Sequence, residues 1–110
     1  MTVTLPDGTD LAPEHGRAVQ AFLERLGAHV GRFGPPATYP PGDDPLSPEA
    51  FVIEWDRAHY SCSLYVFPDG SFGYFWRDRE RNIYAGTNGE RLQEIDGDLA
   101  DRIRLAALDS

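Results

Sequence analysis

Residues 51–84 read FVIEWDRAHYSCSLYVFPDGSFGYFWRDRERNIY and contain ten of the chain's 13 aromatic residues. Apolar and polar residues alternate on both sides of a Pro68-Asp69-Gly70 turn, which is the period-two pattern of antiparallel strands. Upstream, Phe51, Ile53 and Trp55 alternate with Val52, Glu54 and Asp56, and a short turn over residues 56–58 would return the chain. The stretch therefore predicts an aromatic-rich, three-stranded antiparallel meander.

The chemistry of this turn fixes the register of the sheet. Pro68 favours the second position of a type I turn, and Gly70 can supply the left-handed residue that follows, so a three-residue loop is preferred over a two-residue one. That loop pairs Val66 with Phe72, Leu64 with Tyr74 and Cys62 with Trp76. One face then becomes a core of Tyr60, Cys62, Leu64, Val66, Phe72, Tyr74 and Trp76. The opposite face receives Tyr65, Phe67 and Phe75, a candidate partner-binding patch.

The flanking segments predict two helices and a loop. Residues 13–30 place apolar side chains at helical spacing, namely Val19, Phe22, Leu23, Leu26 and Val30. Residues 34–50 contain six prolines, which remove backbone donors and fix φ, so we expect a long Pro-rich loop there. Asp98 is placed to cap a short C-terminal helix, whose buried stripe would be Leu99, Ile103, Ala106 and Ala107.

Two further short strands, over residues 83–86 and 92–95, are predicted to flank the hairpin dipeptide Asn88-Gly89. Residues 1–110 are therefore expected to form a single α+β domain. Its parts are an N-terminal helix, the Pro-rich loop, an antiparallel sheet of three to five strands and a short C-terminal helix. We expect the helices to pack on the sheet face that carries Leu64, Tyr74 and Trp76.

Charge and composition exclude several classes of function. The net charge of −8 repels phosphate backbones, so nucleic-acid binding is not expected. All ten basic residues are Arg, which excludes chemistry that needs a Lys amine and indicates a GC-rich bacterial genome. No apolar run approaches the length of a membrane span, and no export signal is recognised, so a cytoplasmic location is expected.

No group of residues has the spacing that a catalytic or metal site would require. His59 and Cys62 are three apart on a strand and point to opposite faces, so no metal site is predicted, and Cys62 is expected to be a buried structural thiol. Glu54 and Asp56 share a strand face and, with His59, form the least favoured candidate site, that of a small hydrolase. No cofactor is expected.

A second candidate site is basic. Arg77, Arg79 and Arg81 alternate with acidic residues, so their guanidinium groups would project together if the strand continued, and could bind a carboxylate or phosphate.

These features favour an interaction protein without catalytic activity, which binds a protein partner or a second copy of itself. In size and charge the chain is similar to bacterial immunity and antitoxin-type proteins that neutralise a basic toxin or nuclease, although it carries none of their motifs. The alternative hypothesis is a small-molecule-binding module with a pocket between the sheet and the Pro-rich loop, where the three arginines would select an anion.

Overall fold

The computed structural model describes residues 3–4, 10–11, 13–30, 36–42, 49–87 and 90–108. Within these ranges the chain forms seven strands and two helices. In order, they are β1 (Val3–Thr4), β2 (Asp10–Leu11), α1 (Pro13–Val30), β3 (Ala37–Tyr39), β4 (Phe51–Asp56), β5 (Tyr60–Val66), β6 (Phe72–Asp78), β7 (Ile83–Gly86) and α2 (Gly97–Leu108).

The main sheet has five antiparallel strands in the order β3-β4-β5-β6-β7, so each strand pairs with its neighbour in sequence. The short strands β1 and β2 pair separately with each other. This arrangement confirms the predicted α+β class, with one helix before the five-stranded sheet in sequence and one after it. The number of strands is the highest of the predicted range.

The turn between β5 and β6 is the predicted three-residue loop. Gly70 adopts a φ of 89°, and its amide donates to the carbonyl of Phe67 at 3.1 Å. The next amide along, that of Ser71, donates to Asp69 Oδ1 at 2.9 Å. A left-handed residue after a type I turn sets the register of the hairpin, and all three predicted pairs are present, including Cys62 with Trp76.

Both helices pack on the predicted core face of the sheet. The apolar positions predicted for α1 and α2 belong to one core cluster with the inward residues of β4, β5 and β6. Phe22 of α1 contacts Phe72 of β6 with ring centroids 4.9 Å apart. His15 is also buried, and its Nε2 donates to the carbonyl of Val66 at 2.8 Å, which ties the start of α1 to the end of β5.

Three local predictions are corrected. The Pro-rich segment is not purely a loop, because Ala37–Tyr39 pairs with β4 as an edge strand, a position where flanking prolines cost no ladder hydrogen bond. Residues 92–95 form no strand, and only Leu92 bridges to Phe72. The cap of α2 is Asp96, whose Oδ1 accepts from the amide of Leu99 at 2.8 Å. Other parts of the predicted loop, and the Asn88-Gly89 turn, lie outside the described residues.

Candidate functional site

The sheet face opposite the core, called here the outer face, is the candidate site. Alternation along the strands places on it Ala37, Tyr39, Val52, Glu54, Asp56, Ser61, Ser63, Tyr65, Gly73, Phe75, Arg77, Tyr84 and Gly86. Both α1 and α2 occupy the other side, so neither covers this face. Three of its aromatic side chains are exposed, at 39% for Tyr39, 42% for Phe75 and 52% for Tyr84.

Two of these three exposed aromatics lie at the β7 side of the outer face. Phe75 and Tyr84 lie on adjacent strands with ring centroids 5.9 Å apart and a tilt of 45°. The guanidinium carbon of Arg77 lies 5.1 Å from the centre of the Tyr84 ring, within the range of a cation–π contact. We call Phe75, Arg77 and Tyr84 the β7-side patch.

The three aromatics predicted as a patch occupy different environments. Phe75 is exposed, whereas Tyr65 and Phe67 are half-buried. The guanidinium group of Arg91 lies over the Phe67 ring at 3.9 Å from its centre, and Tyr65 stands between Val52 and Gly73 in the sheet. Their role in binding a partner stays a prediction. Tyr84 is not identified as a site residue from the sequence, although alternation along the predicted strand 83–86 is a signal that could have placed it on a sheet face.

The three predicted anion-binding arginines do not project together. Strand β6 ends at Asp78, so Arg79 and Arg81 lie in the following turn rather than on a continued strand face. Arg79 binds Asp56 Oδ1 at 2.6 Å and also the carbonyl of Arg57. Arg81 lies 3.9 Å from Asp78 Oδ2, and Arg77 stacks on Tyr84. Two of the three cations therefore face carboxylates of the chain itself.

The candidate hydrolase residues each have a different partner. Glu54 accepts a hydrogen bond from Ser63 at 3.2 Å, and Asp56 binds Arg79. His59 Nε2 lies 2.9 Å from Asp78 Oδ1. The histidine N–H is the donor of this hydrogen bond, because an ionised carboxylate only accepts. The two carboxylates are thus engaged in a serine hydrogen bond and an arginine ion pair, rather than with the histidine.

Asp78 anchors the turn between β6 and β7. Its buried Oδ1 accepts from His59 and from the amides of Glu80, at 3.1 Å, and Arg81, at 3.2 Å. Burial opposes ionisation of this carboxyl, but the Arg81 amide and His59 outweigh it, and so the pKa of Asp78 lies below its ordinary value of 3.8. His59 in turn stacks on Tyr60, with centroids 3.9 Å apart. These contacts fix the turn that presents β7.

Cys62 lies in the core, as predicted, and burial raises the pKa of its thiol to about 12. A thiol in that state is a poor nucleophile and a poor metal ligand. Across the described ranges, no three His, Cys, Asp or Glu side chains come together in a way that could hold a metal ion.

Neither helix of the described chain combines the length and the apolarity that crossing a membrane requires. Comparison with protein-family models, with curated proteins and with solved structures gives no match. The function has to be inferred from the geometry of the outer face.

Proposed function

We propose that this protein is an interaction module without catalytic activity, which binds a protein partner through the outer face of its sheet. The observation that carries the proposal is the exposed Phe75 and Tyr84 pair on a sheet face that neither helix covers. Aromatic residues and arginine are enriched in the buried centres of protein interfaces, and the β7-side patch consists of these residue types.

The surroundings of the patch suit a protein surface. Rigid rings cost little conformational entropy when they are buried by a partner. Ser61 and Ser63 lie beside them on β5, and short hydroxyls can form hydrogen bonds at the border of such an interface. The patch is held in place by the Asp78 turn, so little ordering would be needed on binding.

The charge of the chain favours a basic partner. Eight net negative charges attract a cationic protein and raise its association rate at low salt. A basic toxin or nuclease, of the kind that an immunity-type or antitoxin-type protein neutralises, would be such a cationic partner. The exposed carboxylate of Asp56 lies on the outer face, although Arg79 compensates its charge in part.

The other two hypotheses have less support. An anion site needs guanidinium groups that converge, whereas Arg77 lies over Tyr84, Arg79 binds Asp56 and Arg81 lies in the turn beside Asp78. A hydrolase needs a base beside a reactive group, and Glu54, Asp56 and His59 each contact a separate partner.

The test compares two variants in native mass spectrometry of the tagged protein recovered from its own host. Phe75→Ser with Tyr84→Ser removes the exposed pair, whereas Leu105→Ser removes a similar apolar group, 44% exposed, from α2. Circular dichroism first checks that both variants are folded.

We expect wild type and Leu105→Ser to carry a basic protein that the double variant loses, and the complex to weaken as salt is added. A complex that survives in the double variant would contradict the proposal, and so would the absence of a complex from wild type.

A further inference from the structure

The two edges of the five-stranded sheet differ in how they are protected. Pro36 and Pro40 directly flank the three residues of β3, and proline is a common device that stops an edge strand from pairing with another chain. Strand β7 has no such protection. Its four residues, IYAG, include no proline and no charged side chain, and Ile83 and Tyr84 are about half exposed.

The hydrogen-bond pattern shows which backbone groups of β7 point outward. The amide of Thr87 donates to the carbonyl of Tyr74 at 3.1 Å. Because donors and acceptors alternate along an antiparallel ladder, the backbone groups of Ile83 and Ala85 face β6. Those of Tyr84 and Gly86 point away from the sheet, and can pair with an added strand.

The side chains of β7 fit a second copy of the same strand. When two β7 strands run antiparallel about a twofold axis at Ala85, Tyr84 of each copy stands directly opposite Gly86 of the other. Both residues lie on the outer face, so each large ring meets a position without a side chain. The fold itself favours glycine at position 86, since a Cβ there would lie 2.9 Å from the carbonyl oxygen of Tyr74.

A precedent for this fit exists within the chain. The Phe75 ring already lies over Gly86 from the β6 side, 3.6 Å from where a Cβ would stand. Aromatic rings that cover a cross-strand glycine stabilise sheets. The twofold arrangement would repeat that contact from the other side of Gly86 with the Tyr84 ring of the second copy.

We infer that this protein forms a twofold dimer in which β7 pairs with β7 of a second copy, with Ala85 on the axis. The outward amides and carbonyls of Tyr84 and Gly86 then form four backbone hydrogen bonds, two about each Tyr84–Gly86 pair. The four residues of β7 carry no charge, so the strand itself places no carboxylate between two chains of net charge −8. The sheet becomes ten-stranded, and the two β7-side patches join into one surface.

The first experiment is sedimentation velocity of the full chain over a concentration series. Wild type should shift towards twice its monomer mass as concentration rises. Tyr84→Lys places a charge on the open edge and should weaken dimerisation by at least about tenfold. Tyr39→Lys, the matched change on β3, should alter it by less than about threefold. A wild-type protein that stays monomeric, or one whose dimer tolerates Tyr84→Lys, would overturn the inference.

The second experiment tests the register, and it reads out the dimer independently of any other partner. Ala85 would face its own copy as a pair without hydrogen bonds, with Cα atoms about 4.5 Å apart, which suits a disulfide. We expect Ala85→Cys to form a covalent dimer on mild oxidation. Ile83→Cys should not, because its two copies would lie about 13 Å apart. Cross-linking at residue 83 in preference to residue 85 would overturn the register, and buried Cys62 does not compete.

Discussion

Trp76 and Phe75 are neighbours on β6 whose side chains point to opposite faces of the sheet, so replacing each with Ala tests the register. Trp76 is 7% exposed and Phe75 is 42% exposed. The Trp76 ring lies against Tyr60 at 5.8 Å, and the guanidinium carbon of Arg102 lies 5.9 Å from its centre. Phe75 contacts only the half-exposed Tyr84 ring among the described aromatic pairs.

The expected cost of Trp76→Ala follows from these contacts. Removing a buried Trp costs about 3–5 kcal/mol of unfolding free energy. The indole Nε1 is buried without a hydrogen-bond partner among the described residues, and removing that group recovers about 1 kcal/mol. We therefore expect a loss near the lower bound, about 3 kcal/mol, or roughly 12 °C in Tm. Phe75→Ala should cost about 1 kcal/mol, since much of its ring is already in water.

Urea denaturation followed by far-ultraviolet circular dichroism measures both losses. Low protein concentration keeps dimerisation from contributing to the apparent stability. Because Trp55 is buried and stays in place in both variants, its fluorescence gives a second probe of the same transition. Equal losses for the two variants, or a larger loss for Phe75→Ala, would refute the assignment of Trp76 to the core face.

Three further predictions concern single polar or sulfur groups. Cys62 should react with a thiol reagent far more slowly in the native protein than after unfolding, because it is fully buried and burial raises its pKa to about 12; equal rates would contradict this. The lowered pKa of Asp78 stabilises the fold above the ordinary value of 3.8, and this stability is lost as pH falls through the folded value. With Asp78→Asn, the unfolding free energy should therefore fall less as pH is lowered than it does in wild type, as measured by urea unfolding over a pH series. An equally large fall would contradict the role of Asp78. Asp96→Ala should lower the unfolding free energy by about 1 kcal/mol and Asp98→Ala by less, as only Asp96 caps α2; the reverse order in thermal melts would restore Asp98 as the cap.

The candidate site shows where reasoning from sequence reaches its limit. The sequence places Phe75 on the outer face because the Pro68-Asp69-Gly70 loop fixes the hairpin register. The face of each residue on the two strands then follows from strand alternation. The sequence does not place Tyr84 on a face, because that face depends on the turn after Asp78. One of the hydrogen bonds that hold Asp78 in this turn comes from His59, which lies between β4 and β5. The expected arginine cluster fails for the same reason, since Asp78 ends the strand that Arg79 and Arg81 would have extended.

The sequence by itself determined the elements that depend on near neighbours. The apolar spacing of residues 13–30 determined helix α1 and its buried stripe, and the chemistry of Pro68 and Gly70 determined the hairpin register. Only the tertiary structure decided that residues 37–39 add an edge strand to β4, and that β7 is the last strand of the sheet among the described residues. Strand pairing joins segments that lie far apart in the chain, so its free energy depends on which backbone groups the rest of the fold leaves unpaired.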